Sequence, residues 1–339
     1  MNSVTPDQHL EDAELPTVGL AYRIATLLMV IIPPLALVTA ILMLWRVAIE
    51  PIHLVLLVVL YFLTGMGITI GYHRLFTHKS FETYAPIRLL IAICGQMAAE
   101  GAVSTWVANH RKHHMLSDKE GDPHSPHDHT GGFWATIGGF MHAHFLWFIT
   151  DTTLPDLDRY VPDLLKDPVV RFVDKTALLW VAVGLLLPAL IAGLVTGTWT
   201  GAFLGFLWGG LVRLMLVHHV TWSVNSVCHI WGSRGFKCTD ESRNNLLFGI
   251  LAFGEGWHNN HHAFPTSARH GLRWWQFDIS YITIRLMTML KLAWSVRTPS
   301  PERMAAKQIT RPRPVTPAIK PPPSEPSLLE RAGKKDFAA

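Results

Sequence analysis

Charge is scarce in this sequence. Only 16% of its 339 residues are Asp, Glu, Lys or Arg, against 49% that are apolar, where a soluble chain of this size carries nearer a quarter charged residues. The deficit argues against an ordinary soluble domain and points to lipid, in keeping with a positive mean hydropathy of +0.24. The net charge is only +4, with Lys and Arg dispersed, so there is no basic stripe for a nucleic acid to follow. Cysteine is nearly absent: Cys94, Cys228 and Cys238 have no CxxC spacing. They form neither a disulfide framework nor a zinc knuckle and fit a reduced, cytoplasm-facing site. The N-terminus lacks the basic region of a secretory signal, carrying instead Asp7, Glu11, Asp12 and Glu14. It is read as an acidic tail, residues 1–20.

Histidine is what the chain has in excess. His110-Arg111-Lys112-His113-His114 repeats its spelling at His258-Asn259-Asn260-His261-His262, and a looser version runs from His73 to His78. On an α-helix, positions i, i+3 and i+4 share a face, so each HxxHH run aims three imidazoles at one point. Imidazole is a common nitrogen donor for iron, copper and zinc. Eight histidines exceed what one ion can take, so two ions are implied. His73 and His78 are five apart, well separated on an ideal α-helix. They are expected to face different ions, or the helix is irregular there. In the loop after the second box, His124, His127 and His129 sit among prolines and glycines and are read as non-ligands. His142 and His144, in the aromatic segment Phe133–Ile149, are read as polar-face residues of an interfacial helix.

Apolar runs long enough to cross a hydrocarbon core of about 30 Å fall at residues 24–44, 52–72, 176–196 and 202–220. Pro33-Pro34 should bend the first, and Arg213 in the fourth is expensive in lipid unless it faces a polar interior. A fifth segment, Ile87–Val107, contains Arg88, Gln96 and Glu100. If it crossed, the second box would stand some 30 Å from the first, whereas a metal bond needs about 2 Å; it therefore lies in the interface or re-enters. With four crossings all the boxes share one aqueous face. Nearly all Lys and Arg lie on that side, which by the positive-inside rule is cytoplasmic. Residues 299–339, with Pro321-Pro322-Pro323, are read as a disordered basic tail. The expected fold is an all-α integral membrane protein: four transmembrane helices under a cytoplasmic helical cap, with residues 21–298 as the domain that carries the chemistry. Carboxylates for the outer side of the ligand imidazoles are sought in Glu100, Asp118, Asp122 and Glu255.

The order HxxxxH, HxxHH, HxxHH, interleaved with hydrophobic pairs, resembles the integral-membrane fatty acyl desaturases of the acyl-CoA Δ9 (stearoyl-CoA) type in a bacterial-like form. Trp222-Ser223-Val224-Asn225-Ser226-Val227-Cys228-His229 is similar to that family's W-x-x-N-S-x-x-H segment, and Gly254-Glu255-Gly256-Trp257 to its GEG-aromatic run; the match covers about Gly65 to Thr298. The resemblance implies two iron ions held by His73, His78, His110, His113, His114, His229, His258, His261 and His262, with Asn225 approaching through water. It implies an O2-dependent insertion of a cis double bond into an acyl chain. A bent apolar tunnel is expected, with walls at Trp106, Thr221 and Trp222. Ala108 and Asn109 stand where the animal enzymes carry an Arg-Asp pair for CoA. Arg74, Arg111, Lys112 and Arg243 are therefore the candidates for head-group phosphates, with acyl-CoA favoured and acyl-carrier protein and phospholipid open. No dinucleotide fingerprint, fused cytochrome b5 segment or iron–sulfur cysteine cluster is present, so a separate ferredoxin-type or flavoprotein donor is expected. The rival readings are a membrane hydroxylase or alkane monooxygenase, which uses the same histidine pattern, and a metal transporter, whose ligands belong at midplane between broken spans.

Overall fold

Among the described residues, length and composition single out four helices, of 24, 27, 20 and 32 residues, as long and apolar enough to cross a membrane. They are described by a computed structural model covering residues 17–44, 47–127, 131–151 and 153–309. The acidic stretch before Thr17, the proline-rich run after Ile309, and His129 lie outside the described residues. The described residues up to Gln308 form one compact unit.

The first crossing is α1 (Leu20–Met43). The second is α2 (Pro51–Met66), which runs straight into a π-helix, Gly67–Thr77. Between the second and third crossings lie α3 (Ala85–Gln96), α4 (Val103–Leu116) and α5 (Gly132–Met141), the last continued to Thr150. The third crossing is α6 (Ala177–Thr196); the fourth joins α7 (Trp199–Gly205), a π-helical stretch Phe206–Val212 and α8 (Arg213–Ile230). Only 22% and 17% of the α1 and α6 windows are buried, against 56% for the other two. The second and fourth crossings are thus the inner pair, and α1 and α6 turn leucines such as Leu194 outward.

Local chemistry fixes the far end of the bundle. Pro51 starts α2 at a position where the missing N–H costs nothing. The Glu50 N–H donates to His53 Nδ1 at 3.1 Å, while the buried His53 Nε2 meets the Gly201 carbonyl at 3.2 Å. One imidazole thereby ties the second crossing to the fourth. Gly197 ends α6 at φ +66°, a left-handed cap that suits glycine.

Arg213 has a polar interior of its own. It is fully buried, and its guanidinium donates to the carbonyls of Gly209 (3.3 Å), Met97 (2.8 Å) and Gly184 (2.8 Å). Pro188 lies inside α6 and has no N–H for the carbonyl four residues back, which is that of Gly184. Arg213 satisfies the carbonyl that the proline leaves free and, through Met97, caps α3.

The fifth apolar segment does not cross. At 1.5 Å per residue, α3 is about 18 Å long, short of a bilayer core. The chain turns after it through Ala99 (φ +57°) and Gly101 (φ +101°), and α4 carries the second box back along the first. Gly67 and Gly95 allow α3 this close: a Cβ on Gly67 would stand 2.1 Å from the Gly95 nitrogen.

The cap is completed by α9 (Leu246–Leu251), α10 (His258–Ala263) and α11 (Ile279–Met289), with a two-residue antiparallel pair, Glu82–Thr83 against Ala293–Trp294. Structure continues past the expected boundary at Thr298. Pro301–Lys307 is helical, and Lys307 Nζ donates to the Ala263 carbonyl at 2.7 Å. The aromatic segment is helical as expected, but His144 is buried, with Nδ1 on Ser226 Oγ (2.9 Å) and Nε2 on His219 (3.0 Å). Phe133 and Trp134, not the histidine, occupy its exposed face.

Candidate metal centre and acyl channel

Helix type decides the first box. Over Gly67–Thr77 the ladder is i→i+5, and it closes with the His78 N–H on the His73 carbonyl at 3.1 Å. A π-helix has more residues per turn than an α-helix, so a spacing of five brings both rings to the same side. Their centroids are 4.8 Å apart. Of the two alternatives left by the sequence, the irregular helix is the one observed.

The three boxes and His229 converge. Ligand atoms of His73, His78, His110, His114 and His261 all lie within 4.8 Å of one another, and so do those of His113, His229, His258 and His262. The Nε2 atoms make close pairs: His73–His261 3.0 Å, His261–His114 2.9 Å, His114–His110 3.1 Å and, in the second group, His229–His258 3.0 Å. A ring nitrogen carries either one proton or one lone pair. His261 Nε2 therefore cannot form a good hydrogen bond to both His73 and His114. Nitrogens bound at right angles about 2.1 Å from one ion stand about 3.0 Å apart, so the observed edges fit a cation at the centre of each group. Burial, then mutual repulsion, holds His78, His110, His114, His258, His261 and His262 well below the usual histidine range. Neutral imidazole is the form that ligates.

Carboxylates occupy the outer nitrogens of four rings, as orientation of a metal-binding imidazole requires. His73 Nδ1 meets Glu255 at 2.6 Å, His113 Nδ1 meets Asp122 at 2.9 Å, His229 Nδ1 meets Asp118 at 3.0 Å and His262 Nδ1 meets Asp240 at 2.9 Å. Burial pushes Asp122 up, but His113 outweighs it and holds the carboxyl below its ordinary range. Asp118, Asp122 and Glu255 were candidates from sequence. Asp240 was not: it sits in an irregular stretch with no motif around it. Glu100 stands elsewhere, accepting from Trp106 Nε1 at 3.1 Å. His270 is an unforeseen neighbour, fully buried, its ring 4.5 Å from His261 and its Nδ1 3.2 Å from Glu255. His124 is buried 4.3 Å from the His113 ring, and burial first, then the neighbouring His113, lowers it to about 3. The donor set, imidazoles backed by carboxylates, fits a metal cation in each group.

Beside both groups opens a mostly apolar cavity of about 1230 Å³, counted out to its mouth. Trp106, Thr221, Trp222 and Asn225 all line it, with His73, His110 and His258 reaching its wall. It extends from Val18 and Tyr22 at the start of α1 to Tyr61, Gly65 and Phe253.

The arginines proposed for a head group are otherwise engaged. Arg74 is fully buried, bonded to Glu255 and to Asp278, where it anchors the carboxylate behind His73. Arg111 pairs with Asp163 at 2.7 Å and donates to the Phe76 and Tyr160 carbonyls. Arg243 pairs with Glu241 at 3.3 Å. Each is held by this chain's own acceptors; Arg74 is buried, while Arg111 and Arg243 keep partial exposure.

Four candidate crossings capped by two buried polyhistidine groups beside an apolar cavity define a membrane protein with candidate metal sites. Residues 49–281 match the sequence profile of the family described as fatty acid desaturase, and the chain belongs to that family. Hex-5-enoyl-[acyl-carrier protein] acetylenase of Moorena producens is 39% identical to it over 82% of this chain and 87% of the relative. The sn-1 stearoyl-lipid 9-desaturase of Anabaena variabilis is 40% identical, over 70% and 81%. Icosanoyl-CoA 5-desaturase of Limnanthes douglasii is 39% identical, over 69% and 62%. The protein is thus of the Δ9-type desaturase family, an oxidoreductase of lipid metabolism.

Proposed function

We propose that this protein uses O2 and two electrons to place a cis double bond at the Δ9 position of a long saturated acyl chain. The observation that carries the proposal is the apolar cavity running past two convergent groups of imidazoles. His73, His78, His110, His114 and His261 would hold one iron. His113, His229, His258 and His262 would hold the other, with Asn225, one turn before His229 on α8, reaching it through water. Such a pair supplies the oxidising power needed to take hydrogen from an unactivated methylene, which no side chain provides by acid–base chemistry.

The chain's own part is positional. Trp106, stacked on His110 with centroids 4.9 Å apart, Thr221 and Trp222 hold the chain against the metal groups. Phe253 closes against Tyr61, 5.5 Å away, and Gly65. The Nδ1 carboxylates hold His73, His113, His229 and His262 each in one tautomer. Arg74, Arg111 and Arg243 each have a carboxylate partner in this chain, so they give acyl-CoA no particular support. The relative named for stearoyl-lipid supports a lipid-linked chain instead. Electrons come from a separate ferredoxin-type or flavoprotein donor. The metal groups face the cytoplasm, on the side rich in Lys and Arg.

The test is gas chromatography with mass spectrometry of fatty acids from an aerobic host making the protein, beside His261→Ala at equal abundance. A new cis-monoene lost in the variant is expected, and labelled acyl-lipid should give it without release of the chain. Hydroxy acids in place of the alkene would replace this reading by that of a hydroxylase.

A further inference from the structure

Glu100 belongs to neither metal group. It is 7% exposed and lines the cavity: Oε2 accepts from Trp106 Nε1 at 3.1 Å, Thr221 also approaches the carboxyl, and Oε1 is buried with no donor in good hydrogen-bonding geometry. Its backbone is set by Ala99 and Gly101, both at positive φ. The charged and titratable groups on the elements around it leave it without a counter-ion. Tyr72, on the π-helix, donates to Gln96 at 3.0 Å. His218 meets the Ala98 carbonyl at 2.7 Å, and Arg213 is spent on three carbonyls. Asp174 accepts from the Val103 and Ser104 N–H groups. His73 and His110 stand against the other side of its partner, with ring centroids 6.2 and 4.9 Å from that of Trp106.

We propose that Glu100 is a positioning residue of the acyl channel that works as the neutral acid: protonated and anchored on Trp106, it completes the wall beside Thr221, and ionised it shuts the channel to a hydrocarbon chain. This rests on the reading of the cavity as the acyl site. A carboxylate in an apolar cavity needs water, and an entering chain strips that water away at high cost. The neutral acid makes no such demand. Burial, against the hydrogen bonds of Thr221 and Trp106, pushes Glu100 up to about 7. The carboxyl is therefore neutral below that pH and ionised above it, so acyl binding is held at lower pH and lost as pH rises through about 7.

The test uses the full-length protein in lipid nanodiscs with its electron donor, as wild type and Glu100→Gln. Gln keeps the size and an acceptor for Trp106 but cannot ionise. In the wild type the KM for the acyl substrate is expected to rise roughly tenfold per pH unit above neutrality, with kcat little changed. In Glu100→Gln it should stay at the low-pH wild-type value throughout. An infrared pH titration supplies a reading independent of turnover: a protonated-carboxyl stretch present at neutral pH and absent from Glu100→Gln. Parallel KM profiles, or no such stretch at neutral pH, overturn the proposal. No unsaturated product from the wild type at any pH would instead sink the acyl-channel reading, and this inference with it; the infrared result tells the two failures apart.

Discussion

Asp122→Asn isolates one half of the metal centre. The carboxylate takes His113 Nδ1 on both oxygens, at 2.9 and 3.0 Å. Oδ2 also accepts the Asp118 N–H at 2.9 Å, and Oδ1 accepts the His124 N–H at 3.2 Å. An asparagine amide can be turned two ways, and in either its NH2 faces one of those backbone donors. A buried donor left without an acceptor costs about 1–3 kcal/mol, and His113 loses the anion that fixes its ring. Loss of such an outer partner lowers metal affinity by about 10–100-fold, or about 1.4–2.8 kcal/mol. Since His113 belongs to the second group, only one binding step should move. Anaerobic titration of metal-free protein with ferrous iron checks this: the wild type should bind in two steps, and the variant should keep one and weaken the other. Two unchanged steps, or equal weakening of both in a folded variant, would refute the partition into five and four ligands.

Arg213→Met leaves the Gly184 and Met97 carbonyls without their donor, a loss of about 2–6 kcal/mol at about 1–3 per group, reduced because a buried charge is also removed. Thermal unfolding in detergent should fall accordingly, and Pro188→Ala in the same chain should recover part of it by restoring an N–H for Gly184; strictly additive losses would contradict the pairing. Gly67→Ala sets a methyl 2.1 Å from the Gly95 nitrogen, which as backbone cannot yield. Overpacking of about 1–3 kcal/mol and reduced iron content are expected, and normal melting with full iron would refute the close approach as described.

Legibility followed the kind of signal. The crossings were readable because lipid demands long uncharged runs, and α3 was kept out of the count because the second box had to return to the first. Helix type at the first box was not readable, since nothing in Gly67–Thr77 spells a π-helix; only the five-residue spacing hinted at it. Asp240 and His270 carry no spacing signal because they reach the site from irregular chain, brought there by the contacts of α10. Glu100 and Arg74 were readable as important but not in role. A charge count says that a buried group exists, whereas its partner depends on which neighbour the fold puts within 3 Å. Trp106, Thr221 and Trp222 do share one cavity, a proximity that the motif order alone implied only through resemblance.

The π-helix also makes the first box more sensitive to length than to spelling. Because Gly67–Thr77 closes with an i→i+5 bond between His78 and His73, many of its side chains can change while the two rings still meet. Removing a single residue between them would let the stretch relax to an α-helix, with the second imidazole four residues on and every position beyond it rotated and drawn back along the axis. The loop that leads to α3, and the glycine contact that seats α3 against the π-helix, would be displaced with it. Such a deletion would act as a frame error in three dimensions, disturbing the ligand pair, the half-helix and the channel wall together.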